Sequence, residues 1–291
     1  MSHRDNQDFC YHHKVMLPSK LRVSFIEYLN SVPLGWGFLQ GPYKDRFTIL
    51  FDVPSECAQH LRSGEADIGL IPVIEYQNIP GLRILPGIAI ASRRAVKSVL
   101  FVCKVPLQQV TSVSVDSSSR TSVTLLRIFL EKFHNRHSIT YRVEPPNTKK
   151  MLEHSDSALI IGNPALQIPR NNYIVYDLAH EWYGFTGLPF VFAFWAVRSG
   201  VELGEQVKIF YQSRELGLQK IDDIARIYSE QLQISASDIR RYIQNNLDYS
   251  LNATNLQGMQ TFFDLAEELG FISTTIPLQF YPKPPLSSEL H

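Results

Sequence analysis

Short apolar runs alternate with amphipathic segments over the first third of the chain. Runs rich in Val, Ile, Leu and Phe predict strands, and apolar residues that recur every three or four positions predict helices. The predicted strands are 23–28, 47–51, 67–71, 83–91 and 98–103, and the predicted helices are 34–39, 55–62 and 73–77. Strands that alternate with helices indicate βαβ units and a parallel sheet.

A second α/β set follows this one. Its predicted strands are 113–116, 140–143, 158–161 and 173–176, and its predicted helices are 121–134 and 148–153. The unbroken apolar run PFVFAFWAV at 189–197 predicts a strand that is buried on both faces. The pattern from 202 to 270 is largely helical, and 277–285 is a Pro-rich tail.

Two α/β lobes, one of them made from the middle of the chain, require the chain to cross between them twice. We predict these crossings at 98–103 and 190–197. One lobe then comprises 21–103 plus 198–291 and the other 104–197, after a flexible segment 1–20. This is the plan of a protein that closes on a ligand in its cleft by hinge motion. A single larger α/β domain is the alternative.

The charge composition narrows the range of partners. The chain has 28 Lys plus Arg and 28 Asp plus Glu, so there is no basic field for nucleic acid or an acidic membrane surface. We expect a small-molecule ligand instead. Residues 1–20 are polar and lack the apolar core of a secretory signal, which predicts a cytoplasmic location. Cys10, Cys57 and Cys103 are scattered and odd in number, which indicates reduced thiols, and no ligand spacing predicts a metal site or another cofactor.

Three predicted strands end in polar residues where a helix begins. These junctions are Asn30 and Ser31 before Pro33, SSSRTS at 117–122, and Gly162 and Asn163 before Pro164. A helix start presents unpaired N–H groups and a positive dipole end, which suit an anion. We expect the junctions to gather around one small anion. For Asn30 and Ser31, helix capping alone is an equally simple explanation.

The second junction has more hydroxyl groups than one helix cap needs. We therefore predict that it binds a carboxylate through hydroxyls and one guanidinium. The candidate residues are Ser118, Arg120, Thr121 and Ser122. An ion pair between Arg120 and Asp116 is the alternative use of that guanidinium.

Two glutamates in aromatic surroundings are candidates for acid or base chemistry. They are Glu75 and Glu181, and a structural hydrogen bond or salt bridge is the alternative for each. Ser98 opens a predicted crossing and could face the cleft. No G-x-G-x-x-G, G-x-x-x-x-G-K-[ST], H-E-x-x-H or G-x-S-x-G motif occurs.

Several segments in this order resemble the chorismate dehydratase (MqnA) family of the futalosine route to menaquinone. The segments are YLNSVP (28–33), PSECAQHLRSGEADIGLIPVIEY (54–76), VKSVLF (96–101), SSSRTSVTLL (117–126), IIGNPAL (160–166) and DLAHEWYGFTGLPFVFAFWAV (177–197). The resemblance covers residues 21–270. It implies a two-lobed α/β fold of the type II periplasmic-binding-protein (Venus flytrap) class, with a helical C-terminal segment, that works as an enzyme without a metal.

The resemblance also implies a reaction and roles for individual residues. The reaction eliminates water from chorismate to give 3-[(1-carboxyvinyl)oxy]benzoate. The implied roles place Asn30 and Ser31 at the reacting face, Ser98 in the cleft, and Thr121 with Ser122 on a substrate carboxylate. Asn163 stands where the family motif leads us to expect Asp.

The proton acceptor stays open at this point between the substrate's own carboxylate, Glu75 and Glu181. A transient contact with the next pathway enzyme is a further expectation. The alternative function is a non-catalytic cytosolic binder of a small carboxylate on the same fold. A weaker, further hypothesis is an interaction protein built on the helical C-terminal third of the chain.

Overall fold

The structure is a computed structural model and describes residues 20–282. Its strands are β1 Arg22–Ile26, β2 Thr48–Asp52, β3 Ile68–Pro72, β4 Arg83–Ser92, β5 Val99–Cys103, β6 Ser112–Asp116, β7 Thr140–Glu144, β8 Ser157–Ile161, β9 Ile174–Asp177 and β10 Phe190–Val197. The predicted flexible segment 1–20 and Cys10 lie almost wholly outside the described residues.

Ten α-helices connect or follow the strands in the described range. They are α1 Val32–Leu39, α2 Pro54–Ser63, α3 Thr121–Arg127, α4 Thr148–His154, α5 Asn163–Leu166, α6 Leu178–Thr186, α7 Val207–Gln219, α8 Ile221–Leu232, α9 Ala236–Arg241 and α10 Ala253–Glu268. Helix α3 continues as a π-helix over Ile128–Phe133, so the predicted helix 121–134 is present with a changed pitch. None of the helices within residues 20–282 is long and apolar enough to cross a membrane.

Two five-stranded sheets form two lobes. The first has the order β2-β1-β3-β10-β4, and the second has the order β7-β6-β8-β5-β9. In each sheet three strands pair in parallel, as the βαβ pattern predicts, with Val23 opposite Ile68 in the first sheet and Val113 opposite Ser157 in the second. The two-lobed prediction is confirmed, and the single-domain alternative is wrong.

The predicted lobe boundaries are corrected by the strand pairing. Strand β5 belongs to the second sheet, and β10 belongs to the first. The crossings are therefore residues 93–98 and 187–189, so that 20–92 with 190–282 form one lobe and 99–186 the other. Strand β10 is wholly apolar, as is typical of an interior strand, and it pairs with β3 along one edge and with β4 along the other.

The crossing strands run antiparallel to their neighbours. Strands β5 and β10 begin at the cleft, because the chain arrives there from the other lobe, and they run away from it. Strands β1, β3, β6 and β8 run toward the cleft and end there. The carboxyl ends of the parallel strands thus meet the beginnings of β5 and β10 in the space between the lobes. That meeting point is where ligands bind in open α/β sheets.

The first lobe packs its sheet against helices from both ends of its sequence. Trp195 on β10 is fully buried among aromatic rings, with ring centroids 6.0 Å from Phe25, 5.9 Å from Phe38 and 5.0 Å from Phe210. The C-terminal third is helical as predicted, and the side chains of Ser235 and Asn252 cap α9 and α10. Helices α7–α10 thereby complete the lobe that contains β1.

Candidate active site

A cavity lies between the two sheets and encloses about 550 Å³, part of it open to solvent. Its lining comes from both lobes and comprises Ile26, Tyr28, Asn30, Pro54, Pro72, Ile90, Ser98, Val99, Ser119, Arg120, Thr121, Ser122, Ile161, Gly162, Phe192 and Ala193. The three predicted junctions therefore converge on one cavity.

At the first junction Asn30 and Ser31 have different environments. Asn30 lines the cavity, and its buried side-chain oxygen has no hydrogen-bond partner among the described residues. The Ser31 hydroxyl is fully buried away from the cavity and contacts the carbonyl oxygens of Ile26 and Tyr28. Neither side chain caps α1. The structure leaves Asn30 free for a ligand and corrects Ser31 to a structural residue.

Tyr28 also lines the cavity, although the sequence analysis assigned it no role. Burial, with a contribution from the nearby Asp116 carboxylate, raises the pKa of Tyr28 above its ordinary value. The phenol therefore keeps its proton and is available as a donor. Its place in the YLNSVP segment, two residues before Asn30, was the signal that could have indicated this position.

At the second junction, helix α3 starts at Thr121 with no side chain capping its first N–H groups. Ser119, Arg120, Thr121 and Ser122 line the cavity. The Thr121 hydroxyl oxygen accepts a hydrogen bond from the Ile74 N–H of the other lobe at 3.2 Å, which leaves its own proton free to donate. Since none of these hydroxyls serves as a cap, they remain available to a ligand.

Ser118 does not line this cavity. Its hydroxyl and its backbone N–H both lie 2.8 Å from Asp116 Oδ1 and donate to it. This small turn places Ser119 toward the ligand space, so the predicted contact through Ser118 is corrected to Ser119. The predicted alternative of an Arg120–Asp116 ion pair is not formed among the described salt bridges, where Arg120 faces Glu75 instead.

At the third junction the cavity is lined by Gly162, not by Asn163. The Asn163 side-chain oxygen accepts a hydrogen bond from the Leu29 N–H of the other lobe at 3.0 Å. An amide oxygen serves this role as a carboxylate oxygen would, which accounts for Asn at this position. Asn163 is therefore corrected from a substrate contact to a contact between the lobes. Gly162 has a φ of +65°, and an added Cβ would lie 3.0 Å from the Tyr28 ring.

Ser98 lies at the end of the first crossing and lines the cavity, as predicted. It is 1% exposed, and its hydroxyl oxygen accepts a hydrogen bond from the Tyr242 hydroxyl at 2.8 Å. Its side chain is thus placed by a residue of the helical C-terminal third. No local pattern in the sequence signals that Tyr242 reaches this point.

The two candidate acid or base residues both lie outside the lining. Glu75 is 3% exposed, with one carboxylate oxygen 3.1 Å from Arg62 Nη2 and the other 3.7 Å from Arg120 Nε. It therefore forms an ion pair with Arg62 and lies near Arg120, while its Oε1 has no hydrogen-bond partner among the described residues. Burial raises the pKa of Glu181, and this half-buried residue on α6 is also remote from the lining. The structure favours the structural alternative for both.

The charges around the cavity indicate an anionic ligand. Among the described residues that line it, Arg120 is the one side chain charged at neutral pH, and none carries a carboxylate, imidazole or amine. Hydroxyl groups and one carboxamide supply the other polar atoms. Within residues 20–282 no group of three or more His, Cys, Asp and Glu side chains is placed to hold a metal ion.

Two mixed sheets that face each other across a cavity with a few polar side chains define a two-lobed protein of the periplasmic-binding-protein class. A crystal structure of a protein from Archaeoglobus fulgidus has the same fold with a TM-score of 0.72 at 15% identity, covering 87% of this chain and 98% of that one. The aliphatic sulphonate binding protein SsuA from Escherichia coli matches with a TM-score of 0.61 at 14% identity, covering 93% of this chain and 96% of that one.

The chain belongs to the menaquinone biosynthesis family, whose pattern matches residues 21–268. It is similar to a chorismate dehydratase from Thermus thermophilus, with 27% identity over 256 residues that cover 81% of this chain and 91% of the relative. A chorismate dehydratase from Campylobacter jejuni is 23% identical over 254 residues, covering 84% and 96% of the two chains.

Proposed function

We propose that this protein eliminates water from chorismate to give 3-[(1-carboxyvinyl)oxy]benzoate, the step that opens the futalosine route of menaquinone biosynthesis. The observation that carries the proposal is the arrangement of the few polar side chains in a mainly apolar cavity. One guanidinium and three hydroxyls stand on one side, an unpartnered carboxamide stands on the other, and the described lining lacks a side chain that ordinarily acts as a base. Family membership and the names of the relatives support the same reaction.

Substrate binding is assigned to the second junction. A carboxylate placed before α3 would meet the hydroxyls of Ser119, Thr121 and Ser122, the uncapped N–H groups of the helix, and the Arg120 guanidinium. Hydrogen bonds to a charged acceptor are worth about 1.5–3 kcal/mol each. These groups suit a dianionic substrate in a chain that has no net charge.

Asn30 acts on the bond that breaks. The substrate's side-chain carboxylate takes the proton of the ring C–H bond beside the enol ether, and the electron pair of that bond forms the last ring double bond. The hydroxyl on the adjacent carbon leaves, takes up the proton from that carboxylate and departs as water. A carboxamide can donate to this leaving hydroxyl, and it can accept from the same group before the C–O bond breaks. Because the side-chain oxygen of Asn30 has no hydrogen-bond partner within residues 20–282, the substrate can supply one.

The substrate's own side-chain carboxylate is the proton acceptor in this proposal. Glu75 is held between two guanidinium groups, and Glu181 is outside the lining. An aromatic product supplies much of the driving force, so a strong protein base is not required. Hydrogen bonds between the lobes from Leu29 to Asn163 and from Ile74 to Thr121 join the lobes beside the cavity. Full closure on the substrate then excludes water and strengthens the fixed dipoles around it.

The cellular setting is part of the same proposal. We place the reaction in the cytoplasm, with a transient contact that hands the aromatic product to the next enzyme of the route. The described cysteines support a reducing compartment, because Cys57 and Cys103 are buried and unpaired.

Incubation of the purified protein with chorismate tests the proposal directly. The expected result is a new aromatic absorbance, with a product that is lighter than the substrate by one water molecule. The Asn30→Ala variant serves as the matched control, since it should bind the substrate and release little product. Binding of chorismate without turnover by the unaltered protein would favour the non-catalytic carboxylate binder, and no binding would reject both functions.

A further inference from the structure

The backbone that leads into Ser98 is held in an unusual conformation. Lys97 has a φ of +64°, in the left-handed region that residues other than Gly rarely adopt. The Lys97 N–H donates to one oxygen of Asp177 at 2.7 Å, and the Val96 N–H donates to the other at 3.0 Å. Asp177 also caps helix α6. One carboxylate therefore fixes the crossing to the second lobe immediately before Ser98.

The backbone after Ser98 is fixed as well. The Ser98 carbonyl oxygen accepts a hydrogen bond from the Gly162 N–H at 2.9 Å, and β5 begins at the next residue. With the backbone held on both sides, the remaining freedom of Ser98 is the rotation of its side chain and of its hydroxyl proton. The contact with Tyr242 restricts both of these rotations.

The direction of the Tyr242–Ser98 hydrogen bond determines what Ser98 can do. Tyr242 Oη donates to Ser98 Oγ at 2.8 Å, and the two residues are 3% and 1% exposed. Burial raises the pKa of Tyr242, so its phenol keeps the proton that it donates. A hydroxyl that accepts from a neighbour retains its own proton for another acceptor. Ser98 lines the cavity, which is where such an acceptor would bind.

We infer that Tyr242 is a positioning residue that makes Ser98 a hydrogen-bond donor to the anionic substrate. The inference rests on the proposed function, since it needs an acceptor in the cavity. It assigns a role at the site to the helical C-terminal third, 144 residues along the chain from Ser98. Thr121 has the same arrangement, because it accepts from the Ile74 N–H and faces the cavity.

A double-mutant cycle between Tyr242→Phe and Ser98→Ala tests this inference. Tyr242→Phe should lower kcat/KM for chorismate by roughly 3- to 10-fold, which is about 0.6–1.4 kcal/mol at 1.36 kcal/mol per factor of ten. In the Ser98→Ala background the same change should alter kcat/KM by less than roughly 1.5-fold, since the group that Tyr242 positions is gone. The same four proteins are titrated with the aromatic dicarboxylate product, whose Kd should show the same coupling.

Tyr211→Phe is the matched control. The Tyr211 hydroxyl donates to the Pro86 carbonyl oxygen at 2.9 Å. Both residues lie in the same lobe as Tyr242, and neither lines the cavity. It should lower the melting temperature about as much as Tyr242→Phe and leave kcat/KM unchanged.

The outcomes separate the inference from the proposed function. An equal loss from Tyr242→Phe with and without Ser98 would make Tyr242 merely structural and overturn the inference. An unchanged kcat/KM in Ser98→Ala would overturn it even if Tyr242→Phe failed to fold. Absence of turnover by the unaltered protein would instead reject the proposed function, and the coupling would then be judged from the Kd values.

Discussion

Replacement of Thr121 by Val tests the closed cleft and the carboxylate site together. The side chains have nearly the same shape, so the change removes one hydroxyl and little volume. That hydroxyl accepts from the Ile74 N–H across the cleft at 3.2 Å, and Thr121 is only 4% exposed. In the closed form the Val variant leaves a buried N–H group without a partner. In an open form the same N–H would be solvated.

The cost therefore falls on the closed, ligand-bound state. Leaving one buried polar group unsatisfied costs about 1–3 kcal/mol, and each 1.36 kcal/mol is a factor of ten in an equilibrium constant. We expect the Kd for 3-[(1-carboxyvinyl)oxy]benzoate to rise by roughly 5- to 150-fold at these values. The free energy of unfolding should change by less than about 1 kcal/mol, because the lost bond joins two lobes that each keep their own sheet.

Isothermal titration calorimetry with the product measures the Kd, and urea unfolding followed by circular dichroism measures the stability. Thr121→Ser is the matched control, since it keeps the hydroxyl and should bind within roughly threefold of the unaltered protein, below the effect of one lost hydrogen bond. Unchanged binding by Thr121→Val would refute the reasoning. A variant that unfolds instead would make Thr121 a structural residue.

Three further predictions concern the chemical step. Asn30→Ala should lower kcat by roughly 100-fold or more, the loss typical of one preorganised donor. Asn30→Asp should also have a lower kcat, because it adds a negative charge beside a dianionic substrate. Near-normal kcat in both variants would show that Asn30 takes no part in the elimination. Glu75→Gln and Glu181→Gln should each have a kcat within roughly tenfold of the unaltered protein, whereas loss of a catalytic base lowers kcat by about 100-fold or more. A fall by that larger factor would identify the altered glutamate as the base. Turnover should survive exhaustive treatment with EDTA, since the described residues bring no three metal-ligating side chains together; activity lost to the chelator and restored by one divalent ion would contradict this prediction.

Much of the local structure follows from the sequence alone. Pro54 at the start of α2 and Gly64 with its φ of +79° at the end delimit that helix where the pattern predicts it. Strand β10 is wholly apolar and is an interior strand of its sheet, between β3 and β4, as the unbroken apolar run predicts. Excess hydroxyls beside Arg120 indicated that this segment faces a cavity, as it does, because capping needs only one of them; that they bind a carboxylate stays a prediction.

The tertiary structure decided which neighbouring side chains reach the cavity and which lobe receives each crossing strand. Asn30 and Ser31, or Ser118 and Ser119, are adjacent in sequence and equally polar, yet only one of each pair lines the cavity. Consecutive residues in a turn point in different directions, and long-range packing selects the direction that faces the ligand. Tyr242 reaches Ser98 only because the π-helix Tyr242–Asn246, which follows α9, packs against the crossing, where Asn246 donates to the Ala95 carbonyl oxygen. Contacts over such separations depend on the whole chain, whereas strands, caps and turns depend on a few neighbouring residues.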